Sequence, residues 1–241
     1  MEHNIAQGPK VEKIEAMFND ISSDYDKLNH ILSLGVDLQW RRQAIKEITG
    51  SSKPQHILDI ACGTGDFTIE IAQHALQGST IIGADLSEGM LEVMGEKLRK
   101  RGLDRKISTL HVNCEAMPFN DNTFNRVTVA FGMRNVEHKE KVLKEVLRVL
   151  EPGGKFVMLE LSVPSNAIAR FLYNIYFVRI LPFIGGSVSG NFPAYKYLPG
   201  SVLHFPQKRE WMAFMSSCGF CNVRHRSFTM GLCRMYVGEV K

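Results

Sequence analysis

Long apolar runs are missing from this chain of 241 residues. No stretch of 18 uncharged apolar residues occurs. The nearest, Phe171 to Gly186, is interrupted by Arg179 and broken by Pro182, which argues against a membrane-spanning helix. The opening MEHNIAQGPK has no apolar stretch of the kind a secretion signal needs. Cysteine is scarce too: the five, at 62, 114, 218, 221 and 233, are odd in number and irregularly spaced. A disulfide framework is therefore not expected, and a reducing cytoplasm is the expected address. Cys218 and Cys221 form a CxxC, but no second pair and no His-x-His cluster accompanies it, so buried structural thiols are the expected reading and no metal site is. Internal repeats and low-complexity linkers are absent. With 20 Gly, 9 Pro, 44% hydrophobic and 22% charged residues, collagen-like, coiled-coil and disordered chains are excluded.

What is present fits one α/β domain with a core of useful size. The expected layout is a single domain over 1–241, with a helical cap over 1–50, a cofactor-binding core over 51–163, an insertion over 164–205, and a helix with antiparallel strands over 206–241. The net charge of +4 is unevenly spread. Residues 1–163 carry 20 Lys/Arg and 23 Asp/Glu, a balance of −3, whereas 164–241 carry 9 Lys/Arg against Glu210 and Glu239, a balance of +7. That end suits an anionic lipid or nucleic-acid surface, or is an ordinary solvated basic face.

Between about 57 and 161 five short β-branched runs recur: HILDIA, TIIGAD, ISTLHV, RVTVAF and KFVMLEL. Helix-period segments separate the earlier runs and the last pair, which predicts a mostly parallel, seven-stranded, Rossmann-like sheet covered on both faces. Ser87 reads as an N-cap and Gly102 as a stop for the helix between them. Val142, Val146, Val149 and Leu150 form an apolar stripe ending at Pro152-Gly153-Gly154. The tail reads as a helix, KREWMAFMSSCGF, then the strands CNVRHRSFTM and GLCRMYVGEV.

The chemistry concentrates at DIACGTGDF, residues 59–67. Gly63 and Gly65 follow a strand and precede a helix, where glycine permits a sharp turn and close approach of a ligand to the backbone. Twenty residues past Gly65, Asp85 ends the second strand, where a carboxylate can accept both hydroxyls of an adenosine ribose. A nucleoside-bearing cofactor is implied. GTGDFT lacks the third glycine of GxGxxG, and Asp59 and Asp66 bracket the turn around Thr64. Carboxylates so placed disfavour a pyrophosphate and favour the sulfonium and ammonium of S-adenosylmethionine. Nicotinamide binding and a ligand-free turn are the competing readings. After the third strand, Asn113 and Cys114 are placed to meet an adenine edge.

Further motifs carry a resemblance over nearly the whole chain. Tyr25-Asp-Lys-Leu-Asn29, Ser33, Gly35 and Trp40-Arg41, then AFGMRNV (130–136), RVLEPGGKFVMLELS (148–162) and AYKYLPGSVLHFP, are similar to signatures of one family. The chain resembles the class I S-adenosylmethionine methyltransferases of menaquinone and ubiquinone biosynthesis, which C-methylate the quinone ring. It departs from them at Leu28 (usually Met), Asp37 (usually His), Glu151 (usually Lys) and Tyr236 (commonly His).

The resemblance implies methyl transfer to a prenylated quinol, demethylmenaquinol foremost, with a benzoquinol or an RNA or small-molecule acceptor as alternatives. Such an in-line displacement needs alignment and a stabilised phenolate. Arg134 is the candidate for phenolate stabilisation, Asn135 for orienting the ring oxygen, and Tyr25, with Asn29, for closing over the cofactor. The bland alternatives are a salt bridge from Arg134 to Glu137 or Asp85, and helix packing for Tyr25. Asp66 is a binding residue or a base. Nucleic acid is not an expected partner, because FGMRN replaces the Asn/Asp-Pro-Pro-Tyr or Pro-Cys loops such enzymes need. The apolar, arginine-bearing stretch from Phe171 to Phe183 is expected to form part core and part substrate wall, with peripheral contact at the membrane surface. A homodimer is compatible with the sequence.

Overall fold

The computed structural model describes residues 5, 7–22, 25–26, 35–176 and 192–241. Along the chain run α1 (Val11–Ile21), α2 (Val36–Thr49), β1 (His56–Ile60), α3 (Asp66–His74), β2 (Thr80–Asp85), α4 (Glu88–Arg101), β3 (Ile107–His111), β4 (Phe124–Ala130), α5 (Lys139–Val149), β5 (Leu150–Leu161), α6 (Ala167–Tyr173), α7 (Phe192–His204), α8 (Arg209–Cys218), β6 (Cys221–Phe228) and β7 (Cys233–Glu239). The five apolar runs expected as strands are β1 to β5, and the expected antiparallel pair is β6 and β7.

One seven-stranded sheet results, in the order β3-β2-β1-β4-β5-β7-β6. Strands β1 to β5 pair in parallel, and β7 lies antiparallel between β5 and β6. Strand order reverses between β1 and β4, so the crevice outside their carboxyl ends is the switch point where ligands bind in open α/β sheets. Alternation along each strand feeds two cores. Leu58, Val127, Val129, Phe156 and Met158 pack with α5 and α8, while Ile57, Ile81, Val157 and Leu159 pack with α2, α3 and α4.

The sequence-level caps are present. Ser87 Oγ accepts the Met90 N–H at 3.1 Å, and Gly102 ends α4 at φ 64°. Ser87 also donates to Asn19 Oδ1 at 2.5 Å, which ties α1 to the start of α4. On the inner face of α1, Met17, Phe18 and Ile21 pack with Met90 and Tyr25. Gly219, at φ 121°, closes α8 where the CxxC was expected to bridge helix and strand. Cys218 and Cys221 are free but half-buried, not buried: Cys218 ends α8, and Cys221 opens the edge strand β6, which leaves it partly open to solvent. No group of three or more metal-ligating side chains occurs among the described residues.

Of the insertion, residues 177–191, with Arg179 and most of its aromatic run, lie outside the described residues. Within α6, Tyr173 is buried and Phe171 is 64% exposed, as a segment divided between core and surface requires. Tyr236, at a departure from the family pattern, is buried in β7 and its hydroxyl accepts the Lys208 N–H at 3.0 Å.

Replacing Ser87 with Ala removes both a cap and the tie to α1. The expected loss is about 1–2 kcal/mol of unfolding free energy in urea titrations. A loss within about 0.3 kcal/mol would mean that neither bond contributes.

Candidate functional site

The loop after β1 is built from left-handed backbone. Ala61, Gly63 and Gly65 have φ of 48°, 57° and 79°. A Cβ on Gly65 would lie 2.5 Å from Met94 Cγ, so this glycine is required where the loop packs on α4. A Cβ on Gly63 would meet only Tyr25 Cε1 at 4.0 Å, which leaves that face of the loop open. The Gly63 N–H donates to Asp85 Oδ2 at 2.7 Å, and the Ser87 N–H donates to Asp85 Oδ1 at 2.9 Å. Two amides thus hold the carboxylate at the end of β2 with acceptor capacity remaining on each oxygen. Burial pushes the Asp85 carboxyl above its ordinary range, against the pull of those amides.

Around this loop the acids divide by partner. Thr64 is buried and its hydroxyl donates to Asp26. Asp66 pairs with Lys97 at 2.6 Å and with Arg41 at 3.7 Å, which supports a binding role over that of a base. Asp37 lies buried 3.4 Å from Arg41 in the same cleft. Asp59 is 1% exposed: its Oδ1 accepts from Thr128 at 2.8 Å and its Oδ2 from Thr68 at 2.5 Å. Burial lifts its pKa to about 6 despite both threonine bonds. It forms the floor beneath the loop, held from below by the two threonines.

Across the switch point, Asn113 Oδ1 accepts the Glu115 N–H at 2.9 Å, shaping the turn after β3, with Cys114 beside it. Burial first, then Asp85 and Glu115, push the Cys114 thiol up to about 12, so it stays neutral. After β4, Phe131 takes φ 61° and residues Met133–Asn135 form one 3-10 turn. A Cβ on Gly132 would stand 2.7 Å from that of Ala61, so the two loops touch.

This turn presents Arg134, 9% exposed. Its side chain pairs with Glu160 at 2.7 Å and donates to the Phe131 carbonyl, and its backbone N–H donates to Glu160 at 3.0 Å. Burial works against the guanidinium charge; Glu160 and the phenols of Tyr25 and Tyr197 outweigh it and raise the pKa. The Arg134 Nε–H is buried and meets no acceptor among the described residues. Neither salt-bridge partner anticipated for Arg134 is the actual one, since Glu137 instead binds Lys10 at 2.7 Å and the Val11 N–H at 2.9 Å. Glu160 stands in the quoted LELS run, and only its carboxylate at the end of β5 marks it. Asn135 Oδ1 accepts from the Tyr197 hydroxyl at 3.0 Å, a partner on α7 that the sequence did not indicate. Tyr25 meets Phe18 edge-on at 5.9 Å and also lines the site, so packing and site contact coexist. Asn29 and Ser33 lie outside the described residues.

Two clefts of about 960 and 750 Å³, counting their open mouths, meet at Tyr25, Ala61, Gly63, Ala130 and Phe131. The first holds Asp26, Asp37, Asp59 and Asp66 against Arg41 and Arg134, an excess of acid. The second holds Asp85, Asn113 and Cys114 among Ile14, Phe18 and Val112.

The sequence matches the model of the ubiE/COQ5 methyltransferase family over residues 6–240. The chain belongs to that family. Among ubiE/COQ5 relatives, it is 46% identical to the ubiquinone/menaquinone biosynthesis C-methyltransferase UbiE of Geobacter sulfurreducens, over 95% of this chain and 89% of that one. It is 44% identical to the demethylmenaquinone methyltransferase of Bacteroides fragilis, over 95% and 93%. The fold is similar to that of a SAM-dependent methyltransferase from Aquifex aeolicus, with a TM-score of 0.59 and 18% identity over 83% of this chain and 89% of that one.

The raised Asp59 pKa has a sign. The folded state holds this proton up to about pH 6, the unfolded chain only to about 4, so wild-type stability falls as pH rises through that window. The loss is about 3 kcal/mol, which Asp59→Asn escapes. Urea unfolding of both proteins at pH 4 and 7.5 is expected to show the variant gaining on wild type at the higher pH. A difference independent of pH would refute the assignment.

Proposed function

We propose that this protein transfers the methyl group of S-adenosylmethionine to a ring carbon of a prenylated quinol, demethylmenaquinol foremost. The residues present fit the donor. Asp85 has acceptor capacity for the ribose hydroxyls, the apolar wall of the second cleft suits adenine, and the acid excess of the first suits a sulfonium and an ammonium. When bound, S-adenosylmethionine supplies a methyl group on a leaving group that is already activated, so alignment and exclusion of water are the main demands on the protein.

The observation that carries the reading is Arg134. A phenol ring carbon becomes nucleophilic as its hydroxyl gives up its proton, and the developing oxyanion needs a fixed positive partner. Arg134 is buried, kept charged by Glu160, and retains an unused Nε–H. Glu160 holds the guanidinium in place, so the stabilising charge need not reorganise when the phenolate forms. Asn135, anchored by Tyr197, orients the ring oxygen, and Tyr25 covers the junction of the two clefts.

The acceptor lives in a bilayer, and the surface offers a means of meeting it. Ile168, Phe171, Leu203 and Met230 are 73%, 64%, 52% and 69% exposed, and Arg170 is exposed beside the first two. No helix among the described residues is long and apolar enough to cross a membrane. These exposed apolar side chains and the basic final third of the chain support peripheral contact with anionic lipid.

Purified protein with S-adenosylmethionine is expected to methylate reduced demethylmenaquinone and leave the oxidised quinone untouched; equal turnover of both would remove the phenolate step. Arg134→Lys keeps a charge opposite Glu160 but loses the planar donor. Its kcat is expected to fall about 10²–10³-fold. S-adenosylhomocysteine affinity is expected to hold, and loss of that affinity instead would reassign Arg134 to cofactor binding.

A further inference from the structure

A third cavity, about 1120 Å³ with its mouth, shares a single lining residue, Arg134, with the first cleft and none with the second. Its walls come from α7 and the turn that follows it, including Tyr197, Gly200 and Phe205, and from the segment before α1, including Ile5 and Pro9. Both walls are fastened to the turn that carries Arg134. On one side the Tyr197 hydroxyl donates to Asn135. On the other, the Gly8 N–H donates to the Glu137 carbonyl at 2.6 Å, Gln7 forms an antiparallel bridge with His138, and Lys10 pairs with Glu137. A Cβ on Gly8 would lie 1.9 Å from the Val136 carbonyl oxygen, so this approach requires glycine. The space is thus framed by specific bonds on either side of Arg134.

Its chemistry differs from that of the cofactor clefts. No carboxylate among the described residues lines it, whereas four line the first cleft. A cationic donor would find no counter-charge among those residues. Ile5, Pro9, Phe205 and Pro206 supply apolar wall, and the buried Lys139 amine is engaged with the Val136 carbonyl at 3.0 Å. Gly200 leaves the α7 wall smooth: a Cβ there would meet nothing within 4 Å.

We propose that this third cavity holds the linear apolar tail of the acceptor, leaving its aromatic head at Arg134, where the tail cavity and the cofactor cleft adjoin. The inference rests on the quinol methyltransferase reading and adds where the lipid chain lies. A tail held between α7 and the N-terminal segment gains affinity by burying apolar surface remote from the reacting carbon, and that binding energy positions the ring.

The test fills the cavity from its open wall. Gly200→Phe adds bulk where no atom stands and raises helix propensity, so α7 is expected to persist. Methylation is measured with two reduced acceptors, prenylated demethylmenaquinol and tail-free 1,4-naphthohydroquinone. In the variant, kcat/KM for the prenylated acceptor is expected to fall about tenfold or more, with the tail-free acceptor within about twofold of wild type. The tail-free activity reports that the variant is folded. Equal loss on both acceptors, or no loss on either, would overturn the tail site. So would a wild-type enzyme with the same kcat/KM for both, although quinol methylation would then stand. A wild type that methylates neither would instead overturn the quinol reading.

Discussion

The buried pair of Arg134 and Glu160 is the constraint on which the rest of the site depends. Taking two charges out of water costs several kcal/mol per ion unless geometry and extra hydrogen bonds repay it. Here Glu160 accepts from both the backbone and the side chain of Arg134 and from the Leu161 N–H, while the guanidinium also finds the Phe131 carbonyl. Those bonds join the ends of β4 and β5 and hold a cation at the rim of the sheet with its charge undiminished. An arginine on a solvated loop would be screened and mobile. Fixed here, it can act on an oxyanion without waiting for solvent to rearrange.

Charge is sorted by compartment around that cation. The first cleft is rich in acid and the second ends on Asp85, while no carboxylate among the described residues lines the third cavity. Lys97 and Arg41 temper the acids that border the glycine loop without cancelling them. On the proposed reading, a cationic donor and a neutral lipophilic acceptor take different sides of Arg134, matching the charge and shape of each cavity. The two cysteines beside these clefts, Cys62 and Cys114, are both held neutral by burial.

Much of the site was legible because its elements are local. Gly63 and Gly65 follow a strand and precede a helix, and Asp85 ends the next strand, so a period-two pattern and one loop suffice to place them at the same edge. The Ser87 cap and the Gly102 stop are equally local, since each acts on backbone groups within one turn. Illegible were the partners that arrive from far along the chain. Glu160 replaces the nearer Glu137 beside Arg134, Tyr197 reaches Asn135 across 62 positions, and Lys10 takes Glu137 across 127. The half-buried state of Cys221 was hidden for the same reason, as it follows from β6 lying at a sheet edge.

Sequence alone determined the order of strands and helices, the carboxyl-edge position of the glycine loop and Asp85, and the resemblance to quinone methyltransferases, because periodicity, caps and short motifs are properties of neighbouring residues. Tertiary structure decided which carboxylate neutralises Arg134, that Asp59 is a floor beneath the loop, and that a separate apolar cavity opens between α7 and the N-terminal segment. Those outcomes depend on how distant segments share a small buried space, where desolvation makes every unpaired charge costly and leaves few arrangements that satisfy them all.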